Sequence, residues 1–341
     1  MMWKKAALEW WVARIALLGF IIHLMLACSE VDRKDEVNRR SYAKPLPESV
    51  DTVDNSPGDK SDPEISTQEP ESEPGPATEP AVTDITELSL EGLINDLGWD
   101  FSAIGGTLQE VRHEYLVGRY NCTQEYPVVI GHLLEDRGSV PTVERYDGDF
   151  ITDESLNNDK CKAPTHNDYT GSGYDRGHLA PAHDFAKYGE AAMKQSFLTS
   201  NIAPQVGEGF NRDLWLSLET ATRYWLHSRD RLLIMTGVVV SPTSGLQKIG
   251  YHNLSVPDYF FKIIVDVSGP ASKVGAIAFL MRNVDHSKVD YGPKKDNVTN
   301  IERHQVTIDK IEEMTGINFF SNLPAEKQAA LEGQVPVMWE H

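Results

Sequence analysis

Three apolar runs in the second half of the chain place the strongest limit on its fold: RLLIMTGVVV (231–240), YFFKIIVDVSG (259–269) and KVGAIAFLMRN (273–283). Each is rich in β-branched and aromatic residues and is bounded by Gly, Pro or Asp, the signature of a buried strand. Upstream, EYLVGRY and YPVVIGHLL form a second strand pair joined by a short polar turn, which reads as a hairpin. Strands that follow one another in runs, rather than alternating with helices, predict an α+β fold with a central, mainly antiparallel sheet. Two helices are expected beside it. FNRDLWLSLETATRYWLHS carries Leu214, Leu218, Ala221 and Trp225 on one stripe, and TIDKIEEMTG offers Thr307 as N-cap and Gly316 as its stop. SFLTSNIAPQ reads as a short strand ending at a proline turn.

Composition sets the limits of the folded part. Between residues 45 and 91 there are 13 acids, one base (Lys60) and eight prolines, so this stretch alone carries about −12 of the net −19. It has too few apolar groups to offset chain entropy, and residues 29–91 are read as a disordered, self-repelling linker. The domain is expected over residues 92–341, where 33 acids still outnumber 23 bases. That balance excludes gripping a polyanion by bulk charge; phosphate chemistry would need local cations or a metal.

Residues 1–28 read as an export signal. Lys4 and Lys5 precede the apolar run Ile15–Ala27, which is short for a membrane span, and LMLAC ends at Cys28 before polar sequence. This resembles a bacterial lipoprotein signal in which Cys28 is lipidated, although Leu26 stands where a small residue is usual. An uncleaved signal anchor is the alternative. Either reading places the rest of the chain outside the cytoplasm, in the periplasm or at the cell surface, tethered to a membrane. In such an oxidising compartment Cys122 and Cys161 are expected to form a disulfide. Neither belongs to a CxxC pair, which argues against zinc held by thiolates.

The residues that suggest chemistry begin at GSGYDRGHLAP (171–181), where Arg176 and His178 flank a single glycine. A lone histidine is more often a core residue satisfied by a carbonyl. Here Asn211, Glu219 and Arg223 follow on the striped helix. At about 100° per residue, eight positions leave Glu219 about 80° from Asn211, so both can face one cavity. A solvated helix side with a Glu219–Arg223 pair is the plainer reading of that helix alone. Together the residues answer one problem, phosphodiester cleavage. It needs a base for water, a cation on the non-bridging oxygens and neutralisation of the leaving alkoxide. Histidine accepts a proton near neutral pH, and arginine matches phosphate with a permanent charge. Mg²⁺ needs few protein ligands, so one Asn carbonyl can hold it while Glu219 orients its waters. The glycine between Arg176 and His178 is expected to let the backbone bend so that both address one phosphate.

YDRGHLAP, followed by SNIAPQ, FNRDLW and LE, resembles the DNA/RNA non-specific endonuclease family of ββα-metal (His-Me finger) nucleases, which includes endonuclease G. The resemblance runs from about Leu93 to Leu323. It implies a ββα-metal fold and an enzyme that hydrolyses DNA and RNA. Carried over by position, it implies His178 as the general base and Asn211 as the direct ligand of a catalytic Mg²⁺, with Mn²⁺ tolerated. Glu219 would hold metal-bound water, and Arg176, Arg223 and Arg145 would contact phosphate. Arg145 precedes YDGDFITDE, similar to the family's upstream arginine, phenylalanine and aspartate pattern. Asn201 would help hold the loop that carries the histidine. A homodimer and an inhibitor protein stay open as further partners.

His183 departs from the family pattern and carries no assigned role. Other signals fail on inspection. GSGYDRG spaces its glycines G-x-G-x-x-x-G, which is no dinucleotide fingerprint. Ser172 lies in no G-x-S-x-G elbow, and His166 and His178 lack the spacing of a zinc protease. A lipoprotein that binds nucleic acid without turnover, and a phosphodiesterase acting on another phosphate ester, remain the competing readings.

Overall fold

The computed structural model of the chain describes residues 85–241, 246–270, 274–291, 300–334 and 337–339. All of them belong to the second of two compact units, Ala77–His341. The export signal, Cys28 and most of the acidic linker lie outside the described residues. One boundary shifts. Ile85 is fully buried, and Ser89 caps a helix, α1 (Leu90–Leu97), by accepting from the Gly92 N–H at 3.1 Å. The fold therefore starts before residue 92, because Ile85, Leu90 and Leu93 are apolar enough to join the core despite the acids around them.

A short strand β1 (Trp99–Asp100) is followed by β2 (Leu108–Arg112), β3 (Val117–Asn121) and β4 (Tyr126–Glu135). The expected hairpin is β3–β4, and β2 adds a strand that its polar composition concealed. Next come β5 (Asp175–His178), helix α2 (Glu190–Ser196), β6 (Ile202–Gln205), helix α3 (Leu216–Trp225) and β7 (Arg231–Val239). The chain continues through β8 (Lys248–Ile249), β9 (Leu254–Ser255), β10 (Tyr259–Asp266), β11 (Gly275–Arg282) and β12 (Gln305–Val306). Helix α4 (Ile308–Thr315), strand β13 (Asn318–Phe319) and helix α5 (Ala325–Glu332) complete it. The three apolar runs are β7, β10 and β11.

Seven strands form one sheet in the order β12-β11-β10-β7-β4-β3-β2, with every pairing antiparallel. The α+β expectation holds. The register of β4, β7 and β10 sets Gly131, Met235 and Ile263 on one face, where Trp99 packs and donates to Met235 Sδ. The opposite face presents Ile234, Phe260 and Ile264, but also His132, Thr236 and Lys262. Helix α3 lies on this second face. Leu218, Ala221 and Trp225 of the helix are buried, as is Leu214 just before it, and Trp225 stacks on Phe279 at 6.0 Å. Near α4, Thr307 caps by accepting from the Lys310 N–H, and Gly316 ends the helix at φ 76°, as expected. Cys122 and Cys161 form a disulfide.

Candidate active site

β5 is the stretch Asp175–Arg176–Gly177–His178, paired antiparallel with β6 so that His178 faces Ile202 and Arg176 faces Pro204. Residues two apart on a strand share a face, which is why Arg176 and His178 address the same space. The predicted bend at Gly177 is not present. Gly177 sits inside the strand opposite Ala203, and a Cβ there would come 2.6 Å from Gln205 Cβ. The glycine permits close approach of Gln205; the left-handed turn positions are Gly171 and Gly173. β5, β6 and α3 make up the ββα unit.

His178 lies between the rings of Phe150 and Phe197, at 5.2 and 5.1 Å. Its Nε2 is buried and bonded to no described residue. Burial, helped by the Arg145 cation, pushes its pKa down to about 3. The ring is neutral at physiological pH and free to accept a proton. Asn201 fixes the backbone just beyond it. Its amide donates to the carbonyls of Ala180 (2.9 Å) and Ser196 (2.8 Å), and its Oδ1 accepts from the Ala180 N–H (2.9 Å). Asn201 is fully buried and acts on the loop rather than in the cleft. Asp153, in the segment that supplies Phe150, braces the same region by accepting from Ser200 and bonding His113 Nε2 at 2.8 Å.

The helix expected from Phe210 onward is regular only from Leu216. Gly207–Trp215 is wound more widely, with the Asn211 N–H donating to Val206 O at 2.9 Å, and it is non-helical at Glu208 and Gly209. The helical-wheel angle between Asn211 and Glu219 therefore does not apply. Asn211 is placed instead by Asp175, whose Oδ2 accepts from its amide nitrogen at 2.9 Å. Arg212 holds Asp175 with two bonds, of 2.9 and 2.6 Å. With its nitrogen engaged, Asn211 leaves its amide oxygen for a ligand.

Glu219 and Arg223 stand on α3, but the Glu219–Arg223 pair is not formed. Arg223 donates to Asp184 at 3.0 Å, and Asp184 also bonds His132 Nε2 at 3.0 Å. Burial works against the Asp184 charge, but the His132 bond and the nearby Arg223 and Lys262 outweigh it and hold the carboxyl below its usual range. Burial lowers the His132 pKa, so its neutral ring donates Nε2–H to Asp184. Lys262 is 1% exposed; it donates to Thr236 Oγ1 at 2.7 Å and lies 5.0 Å over the Trp215 ring. Burial raises Glu219, an effect opposed by the Lys262 ammonium; burial lowers Lys262, an effect opposed by Glu219 and Asp184. A strip of buried charge thus runs beneath the site, along the polar positions of the sheet face.

His178, Asn211, Glu219 and the guanidiniums of Arg145, Arg176 and Arg223 surround one cleft of about 490 Å³. Arg176 is braced by the His166 carbonyl (2.9 Å) and Thr170 Oγ1 (3.0 Å), and Arg145 lies 4.9 Å over Phe197. His183 is exposed on the rim. A smaller pocket of about 180 Å³, which Asp184 also lines, adjoins the cleft through His183 and Arg223. The donor set suits a hydrated Mg²⁺: one free amide oxygen on Asn211, and a Glu219 carboxylate bonded to no described residue. Sequence reasoning missed Asp175, Asp184, His132 and Lys262. Asp175 is the first residue of the DRGH string, while His132 and Lys262 were visible as single polar residues inside the apolar strands YPVVIGHLLE and YFFKIIVD.

A neutral imidazole on a strand, an oriented amide oxygen on the segment that leads into a helix, and guanidiniums around both are the equipment of a metal-dependent endonuclease. The comparisons with known proteins agree. The chain belongs to the DNA/RNA non-specific endonuclease family, which it matches over residues 102–326. It is 32% identical over 233 residues to the mitochondrial nuclease of Saccharomyces cerevisiae, covering 64% of this chain and 67% of that one. Mitochondrial endonuclease G of Homo sapiens is 30% identical over 190 residues, covering 53% of this chain and 59% of the human protein. The solved complex of EndoG with EndoGI superposes with a TM-score of 0.55 and 28% identity, over 71% of this chain and 95% of that one.

Proposed function

We propose that the chain is an exported, membrane-tethered, Mg²⁺-dependent endonuclease that hydrolyses phosphodiester bonds in both DNA and RNA. The observation that carries this reading is the convergence of His178, Asn211, Glu219 and three arginines on one cleft. His178, which lines the cleft, takes the proton from the attacking water; with its Nε2 enclosed, the role is assigned to Nδ1. Its depressed pKa keeps the base unprotonated at neutral pH. Arg145, Arg176 and Arg223 bind the non-bridging oxygens and position the phosphate for in-line attack. Asn211 and Glu219 would hold Mg²⁺, the first directly and the second through water; bound there, the ion supplies charge to stabilise the departing 3′ oxygen. Three guanidiniums concentrated in the cleft supply the local positive charge that the acidic surface lacks.

Support for the tether comes from the apolar run ending at Cys28 and from a disulfide that suits an oxidising compartment. Residues 29–84 would then act as an acidic spacer between anchor and domain.

The test incubates the full chain with plasmid DNA and with RNA, in Mg²⁺ or EDTA, beside His178→Ala. Cleavage of both polymers should stop in EDTA and fall by roughly 10²–10⁴-fold in the variant. Cleavage indifferent to both changes defeats the mechanism; nucleic acid bound but uncut would establish a binding lipoprotein instead. For the anchor, Cys28→Ala should release the protein from the membrane fraction, and an unchanged distribution refutes lipidation.

A further inference from the structure

Far along the chain from the catalytic residues, Asp309 and Glu312 project from α4 toward Glu332, the last residue of α5. One carboxylate oxygen of each lies within 4.8 Å of the others. Asp309 and Glu312 are three apart on a helix and so share a face. Glu332 is only 5% exposed, and its Oε1 is buried with no partner among the described residues. No Lys, Arg or His among the described residues forms an ion pair with any of the three. Glu332 also stands at a helix C-terminus, where the exposed carbonyls already present partial negative charge. Three mutually repelling carboxylates at a negative helix end are unfavourable unless something positive sits between them.

Two things can relieve the repulsion, a proton or a cation. Burial above all, and then the charge of Glu312, holds the Glu332 carboxyl above its usual range, with Gln328 opposing and Asp309 adding a smaller push. The arrangement favours a cation over a proton alone. Glu312 is already oriented, because one of its oxygens accepts from the Phe319 N–H at 2.6 Å and the second is left over. Asp309 Oδ2 leans across the end of α5, 3.5 Å from where a Cβ on Gly333 would lie. Oxygen-only ligands of this charge select a hard ion, and their irregular spacing suits the flexible coordination of Ca²⁺.

We propose that Asp309, Glu312 and Glu332 form a second metal site, of Ca²⁺ type, that fastens α5 to α4. Glu312 also holds the backbone of β13, which pairs with β1 behind the sheet, so the ion would brace the layer opposite the catalytic cleft. Its role is stability of the fold, separate from phosphodiester chemistry.

The experiment uses the full chain carrying Asn211→Ala, which removes the proposed catalytic ligand. Ca²⁺ is titrated by calorimetry, and thermal unfolding is followed with Ca²⁺ and with EDTA. One Ca²⁺ should bind with a Kd between ~10⁻⁵ and ~10⁻³ M and raise Tm. Adding Glu332→Gln, or separately the exposed Asp309→Asn, should weaken binding at least about tenfold and abolish the Tm response. If Glu332→Gln does not fold, Asp309→Asn alone decides. Absence of Ca²⁺ binding in the Asn211→Ala chain, or unchanged binding in the carboxylate variants, overturns the proposal and leaves a protonated acid cluster.

Discussion

Asp175→Ala separates metal binding from stability. Asp175 does two things: it accepts from the Asn211 amide at 2.9 Å and it receives the fork of Arg212. Without the carboxylate, the Asn211 amide loses the bond that distinguishes its two ends, and its oxygen is no longer held toward the cleft. Groups that orient a metal ligand typically contribute 10–100-fold in metal affinity or activity, equivalent to about 1.4–2.7 kcal/mol. Stability should change little, because the Arg212 side chain is 63% exposed and its ion pair is screened by water. The expected result is a 10–100-fold rise in the Mg²⁺ concentration for half-maximal plasmid cleavage, with Tm nearly unchanged. Asp175→Asn, which keeps an oxygen that can accept from Asn211, should fall between this variant and wild type. Mg²⁺ titrations of cleavage, paired with thermal melts, make the measurement. A folded Asp175→Ala protein with wild-type Mg²⁺ dependence would show that Asp175 does not orient Asn211 as a ligand.

Two further perturbations test the scaffold. Replacing Cys122 and Cys161 together by Ser removes a cross-link spanning 39 residues, for which loop entropy sets a loss of about 4 kcal/mol; a urea midpoint unmoved by the double replacement would refute it. Asp153 gives a pH signature: burial opposes its charge, but bonds from His113, Ser155 and Ser200 prevail and lower its pKa from 3.8 to about 2. Because the folded value lies below the unfolded one, its contribution of about 2 kcal/mol is present above pH 4 and is lost as pH falls toward 2. Urea unfolding of Asp153→Asn should therefore converge on wild type in acid, and a pH-independent gap would contradict this.

The sheet was legible because its signal is local. β7, β10 and β11 announce themselves by side-chain type within eight or nine residues, and their succession without intervening helices is enough to predict antiparallel pairing. β2, whose run LQEVR mixes charge with apolar groups, becomes a strand only because β3 lies beside it. The site divides in the same way. Arg176 and His178 could be placed together because a period of two is a property of any strand.

Asn211 and Glu219 came together for a reason a helical wheel cannot express. The backbone leaves helical geometry at Glu208 and Gly209, and Gly209 adopts φ +72° against the backbone amides of His286 and Ser287, each 2.8 Å from where its Cβ would stand. Those contacts join positions more than seventy residues apart, beyond the reach of any local pattern. The same long range explains Arg223. Its neighbour on the helix is Glu219, yet its charge goes to Asp184, because Asp184 is also fixed by His132 from the sheet face beneath. Freed from that pairing, the Glu219 carboxylate remains open toward the cleft, where the mechanism requires it. A buried aspartate on a different loop is thus what leaves the helix glutamate available for a metal's waters.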